Sequence, residues 1–271
     1  MLDTSTIKAA RAGDAKALDT LVRDQQDRIH RLAARMLGDT ELARDATQEI
    51  LLRVITHLST WREDARFSTW VYRIAVNHLL TEKKIRARTP QYTFDIFDDA
   101  LRDGLADPDA ARAEDTALLG ELRVKCTMAL LMCLDPDQRA AYVLGEVFEM
   151  DQTEACTVLD IAPATFRKRL SRARHAVETF TARACGVVSE GGFCSCPRRL
   201  EAAQACGRVG LRPSMPEAPD WTAAMQMARR AEAHLVTARL QRFTGPLSAP
   251  GDIASGVIAL LDAERARLSP N

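Results

Sequence analysis

From Thr6 to about Arg88 the apolar residues of this chain recur every three to four positions: at Leu18, Leu21 and Val22, at Ile29, Leu32 and Ala33, at Leu42, Ile50, Leu51 and Val54, and at Val71, Ile74 and Ala75. That period puts them on one face of a helix and is incompatible with the alternation of a half-buried strand. Gly38-Asp39 and the stretch Ser59 to Ser68 interrupt it, so the segment predicts a bundle of about four helices. The same period resumes at Leu118 and runs to about Ala184, broken at Asp135-Pro136 and from Asp160 to Pro163, which predicts a second small helical domain. Aromatic residues are only 5% of the 271, and the hydrophobic fraction of 46% is ample for packed cores. With Ala, Leu, Arg, Glu and Asp abundant, the expected fold class is all-α.

Between Thr89 and Asp115 the pattern dissolves into Pro90, Gly104, Pro108 and the acids Asp95, Asp98, Asp99, Asp103, Asp107, Asp109, Glu114 and Asp115, which suit a solvated acidic linker. Beyond Ala184 the chain turns loop-rich through Gly186, Gly191-Gly192, Cys194-Ser195-Cys196-Pro197, Pro213 and Pro216. Two further helices are expected at Trp221 to Phe243 and Asp252 to Leu268. The predicted boundaries are a first helical domain at 1–89, the linker at 90–116, a second helical domain at 117–183 and a C-terminal extension at 184–271.

Lysine plus arginine equals aspartate plus glutamate at 37 each, so no net basicity advertises a nucleic acid and the local distribution has to carry that argument. Met1 to Asp14 lacks the apolar stretch of a secretory signal, and no 18-residue apolar run occurs, so the expectation is a cytoplasmic chain without membrane insertion. Seven cysteines in that compartment are expected to stay reduced.

Asp151 to Arg174 reads as a short helix, a turn through Leu159-Asp160-Ile161, and a second helix opened by Ala162-Pro163-Ala164-Thr165, where proline is tolerated because its missing N–H has no intrahelical partner. Phe166 and Leu170 share one face of the second helix, and Arg167, Lys168, Arg169, Arg172 and Arg174 crowd the remainder. In a helix-turn-helix the start of the second helix enters the major groove. Ala164, Thr165, Arg167 and Lys168 are therefore candidates for base edges, and Arg169, Arg172 and Arg174 for phosphates. Asp160, where such turns often carry glycine, is expected to adopt a left-handed conformation or distort the turn.

In the first domain, Asp45 and Glu49 stand four residues apart on one helix face with Gln48 beside them, opposite Leu42, Ala46, Ile50 and Val54. Aromatic and basic residues then interleave through Arg66, Phe67, Trp70, Tyr72, Arg73 and Asn77 and the basic run Lys83, Lys84, Arg86 and Arg88. Flipped bases stack on rings while cations hold the backbone, so this suits a single-stranded DNA surface. The alternative makes Phe67, Trp70 and Tyr72 core residues and is the favoured one for Trp70 alone, whereas Val71, Ile74 and Ala75 already supply an apolar stripe that leaves Tyr72, Arg73 and Asn77 to face a ligand.

Three stretches in this order and spacing carry a family resemblance: Ala43-Arg44-Asp45-Ala46-Thr47-Gln48-Glu49; Phe67-Ser68-Thr69-Trp70-Val71-Tyr72-Arg73-Ile74-Ala75-Val76-Asn77; and Leu134-Asp135-Pro136-Asp137-Gln138-Arg139 leading into Thr165 to Arg174. Over about Leu18 to Arg88 and Leu118 to Phe180 the chain resembles the extracytoplasmic-function sigma factors, compact members of the bacterial sigma-70 family. The resemblance implies that Asp45, Gln48 and Glu49 face the clamp helices of core RNA polymerase. It also implies that Arg66 to Asn77 and the basic run recognise and melt the minus-ten promoter element, and that the second domain reads the minus-thirty-five element. No covalent chemistry is implied, and an anti-sigma factor is a further candidate partner. Val76, His78 and Asp135 depart from the family pattern, and His78 is expected to be a helix-packing histidine. A stand-alone helix-turn-helix regulator acting without polymerase is the alternative.

Cys185, Cys194, Cys196 and Cys206 gather in the loop-rich stretch, and four thiols can complete a tetrahedral zinc site. Their spacing lacks paired knuckles, so a zinc site, a thiol redox switch and plain reduced thiols all stay open. Cys126, Cys133 and Cys156, beside apolar neighbours, are expected to be core thiols, and no other cofactor is expected. The extension is expected to dock on its neighbours or to modulate polymerase or promoter binding.

Overall fold

Short acidic and hydroxyl side chains open the helices by accepting the backbone N–H groups that a first turn leaves without partners. The computed structural model describes residues 2–63, 65–81, 92–107, 116–210, 238, 241–242, 249 and 252–268. The basic run Lys83, Lys84, Arg86 and Arg88, and most of the helix expected at Trp221 to Phe243, lie outside the described residues. Among the described residues there are helices and one isolated bridge between Cys185 and Cys194, with no strand, so the all-α expectation holds. Among the described residues no helix is long and apolar enough to cross a membrane. The chain divides into two compact units, Met1–Glu82 with Thr157–Asp160 and Pro246–Asn271, and Lys83–Cys156 with Ile161–Gly245.

In the first unit, α1 (Thr4–Arg11), α2 (Ala15–Leu37) and α3 (Thr40–Thr56) start at Asp3, Asp14 and Asp39, whose carboxylates accept from the N–H groups of Thr6, Ala17 and Leu42. Gly38 ends α2 with φ +65 and donates its N–H to the Ala34 carbonyl at 2.8 Å, the left-handed conformation that lets the chain reverse at once into α3. A 3-10 turn, Leu58–Thr60, leads to α4 (Phe67–Thr81). Leu21, Ile29, Leu32, Met36, Ile50, Leu51 and Leu79 are fully buried between these helices, and each such side chain contributes about 1.5–3 kcal/mol of transfer free energy. His30 is buried on α2 with Nδ1 3.3 Å from the Thr47 hydroxyl, which itself donates to the Ala43 carbonyl at 2.6 Å. Burial holds the His30 imidazole below its ordinary value of 6.5.

The C-terminal helix α11 (Asp252–Leu268), matching the expected span, packs on α2 and α3 within this unit. Ile253, Ala254 and Val257 are buried, and the Ala249 N–H donates to the Asp27 carboxylate at 2.9 Å.

The second unit contains α5 (Phe94–Arg102), α6 (Thr116–Met132), α7 (Pro136–Tyr142), which runs on as a π-helical turn at Val143–Val147, the first part of α8 (Gln152–Leu159), as far as Cys156, α9 (Pro163–Ala184) and α10 (Cys196–Ala205). Helix α5 corrects the reading of 90–116 as a solvated linker throughout. Phe97 and Leu101 lie on one face and pack against Leu130, Phe180 and Ala184, with the Phe97 and Phe180 rings stacked at 5.4 Å. The acids occupy the other faces, where Asp98 pairs with Arg102 at 2.8 Å and with Arg183 at 2.9 Å.

The Asp135 departure has a local reason, because its carboxylate caps α7 by accepting from the Asp137 N–H at 3.0 Å, with Pro136 in the first turn. Arg139 is buried and donates to the Met132 and Leu134 carbonyls at 3.0 and 2.9 Å, tying the end of α6 to α7. Burial lowers its guanidinium to about 10, still cationic at neutral pH. The extension beyond 184 is not one module: α10 packs on α6 through Leu200 and Ala203, while α11 belongs to the first unit.

Candidate polymerase and nucleic-acid interfaces

Helix α3 turns Ala43, Ala46, Thr47, Ile50, Leu51 and Val54 into the core. The same 100° step leaves Asp45 and Glu49 exposed and Gln48 half-buried, so the three expected polymerase-facing residues share one outer face. Glu49 is engaged along the helix by Arg53 at 3.0 Å, an exposed pair of small energetic weight that solvent and a partner can replace.

On α4 the core takes Phe67, Val71, Ala75, Val76, His78 and Leu79. Arg66, Arg73 and Asn77 are exposed, and Trp70 and Tyr72 are half-buried. The aromatics divide between core and surface. Phe67 is a core residue met edge-on by Trp61 at 5.4 Å, while Trp70 stacks on Phe67 at 5.6 Å with part of its ring outside. Val76 and His78 are both interior positions: burial suits an apolar residue at 76, where the family often carries a basic one, while His78 is a buried polar group where the family commonly carries an apolar residue.

In the helix-turn-helix, Asp151 caps α8 by accepting from the Glu154 N–H at 2.8 Å. Asp160 takes φ +54, the left-handed conformation expected of this turn, and α9 begins with Ala162 extended and Pro163 in its first turn. Phe166, Leu170, Ala173 and Val177 face inward, and Phe166 and Leu170 press on Gly145, where an added Cβ would stand 3.3 and 3.2 Å from them.

Ala164, Thr165, Arg167, Lys168 and Arg172 are exposed along the outer face. Arg167 reaches Gln152 at 3.4 Å, a long contact that leaves the guanidinium at the surface. Two of the expected phosphate contacts are engaged within the fold. Arg169 is half-buried against Asp137 at 2.6 Å, and Arg174 binds the carboxylate of Glu146, with Nε at 2.6 Å. Glu146 is only 3% exposed, so its charge requires that partner. Arg242 adds a donated bond from Nε to the Glu146 carbonyl at 2.7 Å and an ion pair to Glu149 at 2.7 Å. Sequence spacing cannot separate Arg169 and Arg174 from Arg172, because only the tertiary fold brings Asp137 and Glu146 to them.

The thiols regroup as well. Cys185 ends α9, Cys194 pairs with it in the isolated bridge, and Cys196 starts α10. Cys126 of α6 joins these three at one apolar cavity, whereas Cys206 is exposed at the far end of α10. Among the described residues no group of three or more His, Cys, Asp or Glu side chains is placed so that it could hold a metal ion. Burial raises the Cys126 thiol, and pushes Cys133 and Cys194 up to about 12.

Residues 21–89 match the family Sigma-70 region 2, and residues 125–177 match Sigma-70, region 4. A helical bundle with the α3 and α4 surfaces, followed by a helix-turn-helix with a cationic outer face, defines an RNA polymerase sigma factor of the sigma-70 family. Over 188 residues the chain is 32% identical to the ECF RNA polymerase sigma factor SigW of Bacillus subtilis, covering 65% of this chain and 95% of that protein. It is 30% identical to the RNA polymerase sigma-H factor of Pseudomonas aeruginosa, covering 65% and 92%, and 28% identical to the ECF RNA polymerase sigma-E factor of Escherichia coli, covering 66% and 93%. The chain belongs to the extracytoplasmic-function sigma factors. Membership decides between the polymerase-dependent reading and the stand-alone regulator in favour of the former.

Proposed function

We propose that Asp45, Gln48 and Glu49 form the contact with the clamp helices of core polymerase, and that Arg66, Trp70, Tyr72, Arg73 and Asn77, with Lys83, Lys84, Arg86 and Arg88, recognise and open the minus-ten element. The half-exposed Trp70 ring supplies a stacking platform for an unpaired base, and the exposed cations hold its backbone. The second domain reads the minus-thirty-five duplex through Ala164, Thr165, Arg167 and Lys168, with Arg172 on phosphate. The division at 1–89, 90–116, 117–183 and 184–271 follows these roles, with α5 a packed element inside the second segment. The chain acts in the cytoplasm as a binding factor without covalent chemistry of its own, and an anti-sigma factor is a natural antagonist of such exposed surfaces.

The observation that carries this reading is helix α9, which buries Phe166, Leu170, Ala173 and Val177 while keeping Thr165, Arg167, Lys168 and Arg172 outside. Each duplex or strand contact is weak alone and gains when polymerase holds both readers on one promoter, because the second contact becomes effectively intramolecular. Run-off transcription with purified core polymerase tests it. The full chain should direct promoter-specific initiation and Gln48→Ala should impair it; tight operator binding by the free chain, with no response to core enzyme, would overturn it.

A further inference from the structure

Residues 94–106, whose composition reads as a solvated linker, are fastened within the second unit from two sides. On one side α5 turns Phe97 and Leu101 onto Leu130, Phe180 and Ala184, and Asp98 pairs with Arg183 of α9 at 2.9 Å. On the other side the C-terminal extension grips the end of α5 and the turn beyond it. Arg198 Nε donates to the Ala106 carbonyl at 2.8 Å, and the Ala106 N–H donates back to the Arg198 carbonyl at 3.1 Å. The buried Arg199 donates to the Asp103 carbonyl at 2.6 Å. The Arg102 guanidinium lies 3.8 Å from the ring centroid of Phe193, whose carbonyl accepts from Arg198 at 2.9 Å. Gly104 passes α10 at φ +65, so close that an added Cβ would stand 3.0 Å from that of Ala202.

With nine residues, α5 is shorter than the roughly 12–15 at which an isolated helix becomes even marginal in water, so it is helical only while docked. Its polar fastenings are single hydrogen bonds and exposed charges that water replaces at small cost. The segment therefore has two discrete states, a docked helix and a released coil, and they differ in reach. From Thr81, the end of α4, to Tyr92, which packs beside Phe97, the chain spans at most about 40 Å. From Thr81 to Thr116, the start of α6, a released chain spans up to about 120 Å. The minus-ten and minus-thirty-five elements lie roughly 85 Å apart along duplex DNA at about 3.4 Å per base pair. Helix α9 supplies about 22 Å of that distance, from Phe180, where α5 docks, back to Thr165. Docked, the chain meets the span only with every segment at full extension; released, it has length to spare. The effective concentration of a second reader vanishes when its linker is too short for the span.

We propose that α10 and the Phe193 loop form an intramolecular strap that holds residues 94–106 docked, and so restrains the chain from engaging both promoter elements until core polymerase draws the segment off. The inference rests on the polymerase-dependent reading above. Polymerase and promoter together take the released form, so the apparent affinity is reduced by the fraction of chain released, and the strap sets that fraction.

Hydrogen exchange of the full, unaltered chain, free and bound to purified core polymerase on promoter DNA, tests the release directly. Amides of 94–106 should be protected in the free chain and lose that protection in the complex, while α6 and α9 keep theirs. Run-off transcription tests the restraint. Gly104→Ala, which disfavours docking from the linker side and leaves α10 untouched, should lower the factor concentration for half-maximal initiation by on the order of tenfold, with the plateau unchanged. Arg198→Ala combined with Arg199→Ala should do the same from the side of the extension. Protection of 94–106 that persists in the polymerase complex, or a half-maximal concentration that stays put or rises in Gly104→Ala, would overturn the strap. If the variants fail to fold, the exchange measurement on the unaltered chain still decides. A chain that ignores core polymerase altogether sinks the underlying reading, whereas a responsive chain with a protected segment sinks the strap alone.

Discussion

His30 and Arg174 show how single side chains divide between holding the fold and meeting a partner. His30 sits buried below its ordinary 6.5 because desolvation disfavours the imidazolium, with Asp27 opposing more weakly. The unfolded chain therefore binds more protons than the folded one as pH drops below that value, so stability is complete above it and declines on acidification. The unfolding midpoint of the first unit, followed through Trp61 and Trp70 fluorescence, should fall between about pH 7 and about pH 5, and His30→Gln should flatten that slope. On α9 the exposed and the engaged arginines should separate cleanly. Arg172→Ala should leave Tm unchanged, weaken duplex binding by the polymerase complex, and reduce the salt dependence of log K by about one. Arg174→Ala should instead cost about 1–3 kcal/mol by leaving Glu146 without its cation, and Glu146→Gln in the same chain should recover part of that loss. Equal Tm values for the two single variants would refute the distinction.

Among the elements, those whose apolar period is long and uninterrupted were legible in the sequence: α2, α3, α4 and α9 lie where the spacing predicts, and α11 spans Asp252–Leu268 as expected. Helix α5 was hidden because its apolar face consists of only Phe94, Phe97 and Leu101 among five acids between Asp95 and Asp107. Composition there reports solvent exposure, whereas spacing reports a docking face, and tertiary partners decide which prevails. Phe97 tests that weighting. It stacks on Phe180 and is 3% exposed, so Phe97→Ala should cost about 3 kcal/mol through lost transfer energy and the cavity left behind. Asp95→Ala, on an exposed position of the same helix, should change stability by less than about 0.5 kcal/mol. Chemical denaturation of both variants distinguishes a packed α5 from a solvated linker, for which the two costs would be alike.

At the scale of the whole molecule the sequence conveyed the family and the two readers but not the course of the extension, because composition and local spacing do not say which surface a late helix covers. Cys126 and the three later cysteines illustrate the same limit: they are separated by some sixty residues, and only the fold brings them to one cavity. The extension serves the two units through different parts. Helix α10 covers Leu119 and Leu122 of α6 in the second unit, whereas α11 covers α2 and α3 in the first. Ending the chain after Gly251 should therefore lower the unfolding midpoint reported by Trp61 and Trp70 while leaving helix-turn-helix stability unaltered. Ending it after Ala184 should in addition expose the apolar surfaces around Leu119, Leu122 and Leu130 and lower the solubility of the chain. Urea unfolding of both truncations, with fluorescence for the first unit and hydrogen exchange of α6 and α9 for the second, separates the contributions. If the shorter truncation loosened α6 as much as it loosened α2, the extension would be acting on the chain as one cooperative body rather than through two separate dockings.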